Sequence, residues 1–369
     1  MNITASPLIR VVFSLSYFSF SLSTKAAWLL PLGNFPEYSD SSIKSISADG
    51  RYVIGSEDNY SYCWDLGDQT LGEYPKNLKI AYLKGLNKKF LNLSKNGKMI
   101  VSRKANIAHY KLGNQMFMPL EGFHEEKESY ALFSTASGHS IVGSCGGIAC
   151  KWRYNKDKQD FRIYSLKLEG LTSSKHLGSL ASSINENGKV ITGWVYTSSE
   201  TIGFKWTKND GIKPIGHLIG GEQTYPLAIS SDGSTIVGKS NQKAFRYVKS
   251  DASYLGEMLH LSDEYKMEDL GTLSKEKQTT AWAVSKNGST IVGRSGDDAF
   301  IWTEKNGMQN LQDVLCDKYN LGQMLKGWHL SNASAISDDG LHIAGTAVNN
   351  FGKKQAFVVY IGETIIEQI

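Results

Sequence analysis

One motif returns seven times along this chain, and that periodicity constrains the fold more than any single residue does. Around residue 288 it reads AWAVSKNGSTIVGRSGDDAFIWTEKNGMQNL, and around residue 233 it reads YPLAISSDGSTIVGKSNQKAFRYV. The shared unit is apolar-x-Ser-x-Asp/Asn-Gly-x-x-Ile/Val-Val-Gly, a short loop, then Ala-Phe-x-aromatic. Its turn glycines fall at Gly50, Gly97, Gly138, Gly188, Gly233, Gly288 and Gly340, at intervals of 47, 41, 50, 45, 55 and 52 residues. A mean spacing of about 48 is a little above the period of a four-stranded propeller blade.

Each unit supplies the strands of one blade. Around Gly288, residues 282–285 alternate as a strand, Lys286-Asn287-Gly288 turns the chain back, and residues 290–293 return. Asn-Gly and Asp-Gly suit a hairpin turn whose central residues take positive φ. Ala299-Phe300-Ile301-Trp302 is β-prone, and residues 308–311 follow the Gly307 turn as a fourth strand. The fold class is therefore all-β: a seven-bladed β-propeller of four-stranded antiparallel blades spanning residues 27–369. Two units are worn. The second has Val101-Ser102 where others have Val-Gly, and the third has Ala136-Ser137-Gly138 in its turn.

Two segments compete to close the ring. Trp28-Leu29-Leu30-Pro31-Leu32-Gly33 resembles the fourth-strand stretches Ile212–Gly216 and Met267–Gly271, including their Gly ending. The C-terminal Glu363–Glu367 is the other candidate for the outer strand of the last blade. The shared Leu-Gly ending favours the N-terminal segment, and closure of either kind hides a sheet edge.

Residues 1–26 are a different text: one positive charge in the first ten, the apolar, serine-rich run VVFSLSYFSFSL, and small residues before Ala27. This reads as a secretory signal peptide. The run of twelve is short of the ~20 residues that span a bilayer, so no membrane anchor is expected once the segment is cleaved. The expected location is the cell envelope or the medium. Formal net charge is +4, and removing Arg10 and Lys25 leaves 38 basic against 36 acidic residues. A nucleic-acid partner is therefore not expected. Nothing calls for an oligomer, and a monomer is expected.

Cys145 and Cys150 fall on facing strands of one predicted hairpin. A cross-strand disulfide in an oxidising compartment and two small buried hydrophobes are both compatible with that placement; Cys150 stands where Phe245 and Phe300 stand in other units. Cys63 and Cys316 look unpaired. The chain lacks a Gly-x-Ser-x-Gly elbow, a His-Glu-x-x-His pair, a phosphate loop and a dinucleotide fingerprint. No metal or cofactor is expected, and His124-Glu125-Glu126 reads as a solvated loop. Asp49, Asp232 and Asp339 share their turn position with Asn96, Asn187 and Asn287, which marks them as turn residues and not catalytic acids. Trp64, Trp152, Trp206 and Trp302 recur at one blade position and read as packing between blades. Trp194, Tyr196, Trp282 and Trp328 fall outside that position, and they are the candidate binding residues.

The Ala-x-Ser-x-Asp-Gly-x-x-Ile-Val-Gly and Ala-Phe-x-Trp-Thr elements resemble the HAF repeat of exported bacterial proteins. The Ala-Phe part persists at Ala244-Phe245, Ala299-Phe300 and Ala356-Phe357. The likeness is strong over residues 181–360 and fainter before, and the stretch ending in Gly327-Trp328-His329-Leu330 and the last blade is similar to that family's closing unit. The first unit, ending in Trp64-Asp65, also resembles a WD-repeat blade. The resemblance implies export and a propeller and leaves activity open. The reading it supports is a non-catalytic interaction module presenting loops, such as residues 194–203 and 250–268, to a protein or glycan partner. A propeller-type lyase or glycoside hydrolase with carboxylates near the channel, and a passive envelope component, are the alternatives.

Overall fold

The computed structural model describes residues 27–32, 40–57, 60–69, 72–86, 91–123, 128–168, 171, 177–249, 265–274 and 278–362. The signal segment, the His124–Glu126 cluster, much of the 250–268 loop and Glu363–Glu367 lie outside them. Strand β1 (Trp28–Leu32) is the first of the described strands. Blade I follows as β2 (Ser41–Ile46), β3 (Tyr52–Glu57), β4 (Tyr60–Asp65) and β5 (Lys79–Leu83). Blade II is β6 (Asn92–Leu93), β7 (Met99–Lys104), β8 (Ile107–Leu112) and β9 (Met118–Pro119). Blade III is β10 (Ser129–Ser134), β11 (Ser140–Cys145), β12 (Ile148–Asn155) and β13 (Asp160–Ser165). Blade IV is β14 (Gly178–Ile184), β15 (Val190–Tyr196), β16 (Thr201–Thr207) and β17 (Gly211–Pro214). Blade V is β18 (Thr224–Ile229), β19 (Thr235–Ser240), β20 (Lys243–Lys249) and β21 (Tyr265–Asp269). Blade VI is β22 (Thr279–Val284), β23 (Thr290–Ser295), β24 (Asp298–Thr303) and β25 (Gly307–Asn310), followed by a short helix, α1 (Leu311–Asp317). Blade VII is β26 (Trp328–Ile336), β27 (His342–Asn349) and β28 (Lys354–Tyr360), and β1 is its outer strand.

The seven sheets form an all-β propeller of antiparallel four-stranded blades, closed by β1 pairing with β28 in the register Trp28↔Tyr360 to Leu32↔Ala356. Trp28 Nε1 also donates to Gly72 O at 2.9 Å, tying the clasp to blade I.

The recurring motif is a packing device. In six blades the inner strand carries a register shift, and the glycine of Val-Gly sits under it. A Cβ on Gly293 would lie 2.1 Å from Thr280 O and 2.6 Å from the Phe300 ring. The bulged carbonyl from one side and the Phe of Ala-Phe from the other thus leave no room for a side chain. Blade II has Ser102 at that position, and pairing of its inner strand stops at Asn92↔Val101, one residue short of it. The Ala of Ala-Phe is small because the next blade leans on it. Ala108, Ala149, Ala244 and Ala356 N–H groups donate to Ser129, Ser179, Thr279 and Ser41 hydroxyls of the following blade at 2.6–2.8 Å. The variable residue after the Phe position reaches across the same seam: Lys205 Nζ lies 3.5 Å from the Tyr265 ring centre and Arg246 Cζ 4.5 Å from that of Trp302. Trp64 and Trp152 are fully buried between blades, as their recurrence implies.

The inner hairpin turns are not the type expected. Only the glycine takes positive φ, +77° at Gly288; among the described residues none of the turn Asp or Asn does. Instead the glycine N–H closes the turn onto the Ser carbonyl, and the Asp or Asn side chain accepts the N–H two residues on, as from Ser234 to Asp232 and from Ser289 to Asn287. One carbonyl-type oxygen suffices, so Asp and Asn interchange without either entering the left-handed region.

Candidate functional site at the seam of blades IV and V

The two faces of the ring differ. On the face carrying the inner hairpin turns, neighbouring turns bond to one another through the backbone: Asp338 N–H to Ala48 O, Ala48 N–H to Lys95 O, Glu186 N–H to Ser231 O, and Lys286 N–H to Asp338 O. Side chains of the same residues then cross the opening. Asp338 of blade VII accepts from Lys95 Nζ of blade II at 2.8 Å and from Ser231 Oγ of blade V at 2.8 and 2.9 Å. Lys286 stands 4.0 Å from Glu186. These contacts tie the turns of blades II, V and VII together on this face, and the blades connect to one another on the opposite face.

On that opposite face the structure gathers two of the four aromatics expected to bind. Trp194 and Tyr196 project from the same side of β15, with ring centres 6.4 Å apart. Tyr225, from the inner strand of blade V, packs edge-on to Trp194 at 5.5 Å. Lys239 Nζ lies 5.0 Å from the centre of the Tyr225 ring, and Tyr225 OH donates to Gln223 Oε1 and accepts from Thr201 Oγ1, both at 3.4 Å. Trp194 Nε1 is buried with no hydrogen-bond partner among the described residues. Tyr196 is exposed, and Leu177, bonded through its N–H to Tyr196 O, is exposed beside it.

The linker between the two blades is held stiffly under this cluster. His217 Nδ1 bonds Thr224 Oγ1 at 2.8 Å and its Nε2 faces Glu200 Oε2 at 3.3 Å; Thr224 Oγ1 in turn donates to Ser240 Oγ at 3.1 Å. Asn241, at φ +53°, accepts from the N–H groups of Glu222 and Gln223. The Ser–Thr–His–Glu chain looks like a nucleophile relay in outline, but Thr224 and Ser240 are buried and both imidazole nitrogens are engaged. It fixes residues 215–223 in place and offers no hydroxyl to a substrate. Ile219 stands fully exposed at the tip of that linker.

The other expected residues lie elsewhere. Trp282 is the unpaired residue of the blade VI inner-strand bulge, exposed on the strand nearest the channel. Trp328 opens β26 on blade VII and is half-buried in a groove of about 470 Å³ beside α1, where Gln312 clamps the backbone of Trp328 and Leu330. Cys145 is opposite Ile148 and Cys150 opposite Gly143, a diagonal relation and not a facing pair; both thiols are free and buried. Burial pushes the Cys150 thiol well up from its ordinary pKa. Among the described residues no group of three or more His, Cys, Asp or Glu side chains is placed to hold a metal ion, and no helix is long and apolar enough to cross a membrane. Tyr225, His217 and Glu200 were not singled out by sequence. Aligning the inner strands does expose Tyr225, which shares its position with Ser42, Tyr130, Leu180 and Thr280.

No family model matches the chain, and no curated protein matches it in sequence. Solved structures do. An oligogalacturonate lyase in complex with manganese superposes with a TM-score of 0.56 at 12% identity, covering 93% of this chain and 95% of that one. TolB from Acinetobacter baumannii gives a TM-score of 0.39 at 9% identity, covering 88% of this chain and 64% of that one. The first likeness is one of propeller fold.

Proposed function

We propose that the protein is an exported, non-catalytic interaction module that binds a partner protein at the seam of blades IV and V. The observation that supports this most is the Trp194–Tyr196–Tyr225 cluster with exposed Leu177 beside Tyr196. Rigid aromatics lose little conformational freedom on binding, and apolar neighbours extend the contact as a protein surface requires. Export rests on the signal-like residues 1–26. The face bearing the cluster is the one opposite the Lys95–Asp338–Ser231 contacts.

A lyase reading, suggested by the fold of oligogalacturonate lyase, calls for carboxylates free to move protons. Asp338 and Glu186 face lysines, and Asp49, Asp232 and Asp339 accept hydrogen bonds within their own turns. The binding reading is tested by a photo-crosslinking residue at Tyr196 in the producing cells, with Tyr164 on the outer strand of blade III as the control. Protein adducts from position 196 that vanish on Trp194→Ala are expected. Adducts equal at both positions would overturn the assignment of the site, and retention of glycan in place of protein would move the partner class.

A further inference from the structure

The outer strand of each blade ends the sheet at the rim, where an unpaired backbone invites another strand. One register position on these strands can be compared around the ring, the residue opposite the Phe position of the third strand. It is Pro31 in blade VII, Pro119 in blade II and Pro214 in blade IV. It is Ser165 in blade III, Asp269 in blade V and Asn310 in blade VI. All six break or poorly support a strand. Blade I alone has a β-former there, Tyr82, opposite Tyr62.

The rest of β5 is equally unguarded. Its sequence is Lys-Ile-Ala-Tyr-Leu, and the first four residues are all exposed. Ile80 is 41% exposed, Tyr82 49%, and Tyr60, whose ring meets that of Tyr82 at 5.5 Å, is 52% exposed. Tyr62 holds the Tyr82 ring from the other side at 5.8 Å, so the surface is already ordered before anything binds.

From this comparison we propose that β5 is a self-association edge, pairing antiparallel with β5 of a second copy about a two-fold axis at Ala81. In that register Ile80 of one copy faces Tyr82 of the other, twice, which is a favoured aliphatic–aromatic pair. The single charge, Lys79, faces Leu83, and the two lysines sit at opposite ends of the new ladder. A parallel arrangement would set Lys79 against Lys79, so the charge pattern selects the antiparallel one. The pairing joins the outer edges of two blades into one eight-stranded sheet and is isologous, so it closes at two copies. This departs from the monomer expected from sequence and does not depend on the site between blades IV and V.

Sedimentation or light scattering on the chain as processed in its cells tests it. The expected result is a mass rising from one chain to two over roughly 1–100 µM, the range of a small interface. Tyr82→Pro, which installs the residue three other blades carry at that position, should weaken the dimer at least tenfold with unchanged melting. Ile80→Lys should do the same from the same face and decides the matter if the proline variant misfolds. Tyr164→Lys, on the outer strand of blade III, should leave the dimer intact. A single-chain mass throughout, open-ended polymers, or a dimer untouched by the Tyr82 and Ile80 changes would overturn the proposal.

Discussion

Lys95 Nζ and Asp338 Oδ1 meet at 2.8 Å across the turn end of the channel, linking blade II to blade VII over the head of blade I. Both side chains are only 14% exposed, so salt screens the pair weakly. Lys95→Met leaves Asp338 with Ser231 as its remaining side-chain donor and should cost about 1–3 kcal/mol, read as a lowered urea midpoint at constant slope. High salt should reduce that difference little.

His342 gives the fold an acid-sensitive seam. Its ring is buried against Tyr360, Trp28 and the turn of Gly50, and among the described residues neither nitrogen has a hydrogen-bond partner. Burial holds its pKa below the usual histidine value, with Asp339 and Asp49 pulling partly the other way. The folded protein keeps this ring neutral while the unfolded chain protonates it near pH 6.5. The contribution is therefore full above about pH 6.5 and is lost as pH falls below it, by up to about 1.4 kcal/mol per pH unit until the folded pKa is reached. His342→Met copies Met99, which covers the corresponding glycine, Gly138. Urea titrations at pH 7.5 and 5.5 should show a smaller loss in the variant than in the wild type.

Gly293→Ala should destabilise the protein by about 3 kcal/mol or more, because both neighbours of the added methyl are rigid. Ser102→Gly, at the matching position of blade II, should change stability by less than about 1 kcal/mol. Thermal melting of the two variants side by side checks the packing argument, and equal effects would contradict it.

Asp232→Asn should be nearly silent, because Asn287 caps the next turn with the same geometry. Asp232→Ala removes the acceptor of the Ser234 N–H and should cost about 1 kcal/mol. Loss of partner binding by the Asn variant with its melting unchanged would argue for a chemical role of this acid.

Thiol labelling without reductant should find Cys145 and Cys150 both free once the chain is unfolded, and both slow to react when it is folded.

The blades were readable because each is a local object. Ser-x-Asp/Asn-Gly, Val-Gly and Ala-Phe lie within one hairpin pair and serve similar contacts in most copies, with Ser102 standing in blade II where the others have the glycine. The N-terminal clasp was legible for the same reason, since Trp28–Leu32 repeats an outer-strand pattern. What escaped is what does not repeat. Lys95, Ser231 and Asp338 occupy the variable turn position, and their contact joins blades that are not neighbours. His217 and Glu200 meet only because a linker folds back over a turn. The turn geometry does not follow from the backbone preference of Asp and Asn, because in these turns their side chains act as acceptors.

Because Trp28 pairs with Tyr360, the first and last described strands form one wall of the molecule. A ribosome that has made six blades has therefore not made a smaller version of this protein. Each earlier blade has a neighbour to lean on, but the first and last stay open until the final strand emerges and takes up the one synthesised first. Repeat arrays usually tolerate trimming from either end, since each unit answers only to the next. Here the first and last described strands belong to one unit, and deleting either β1 or β28 removes the bolt that holds the circle.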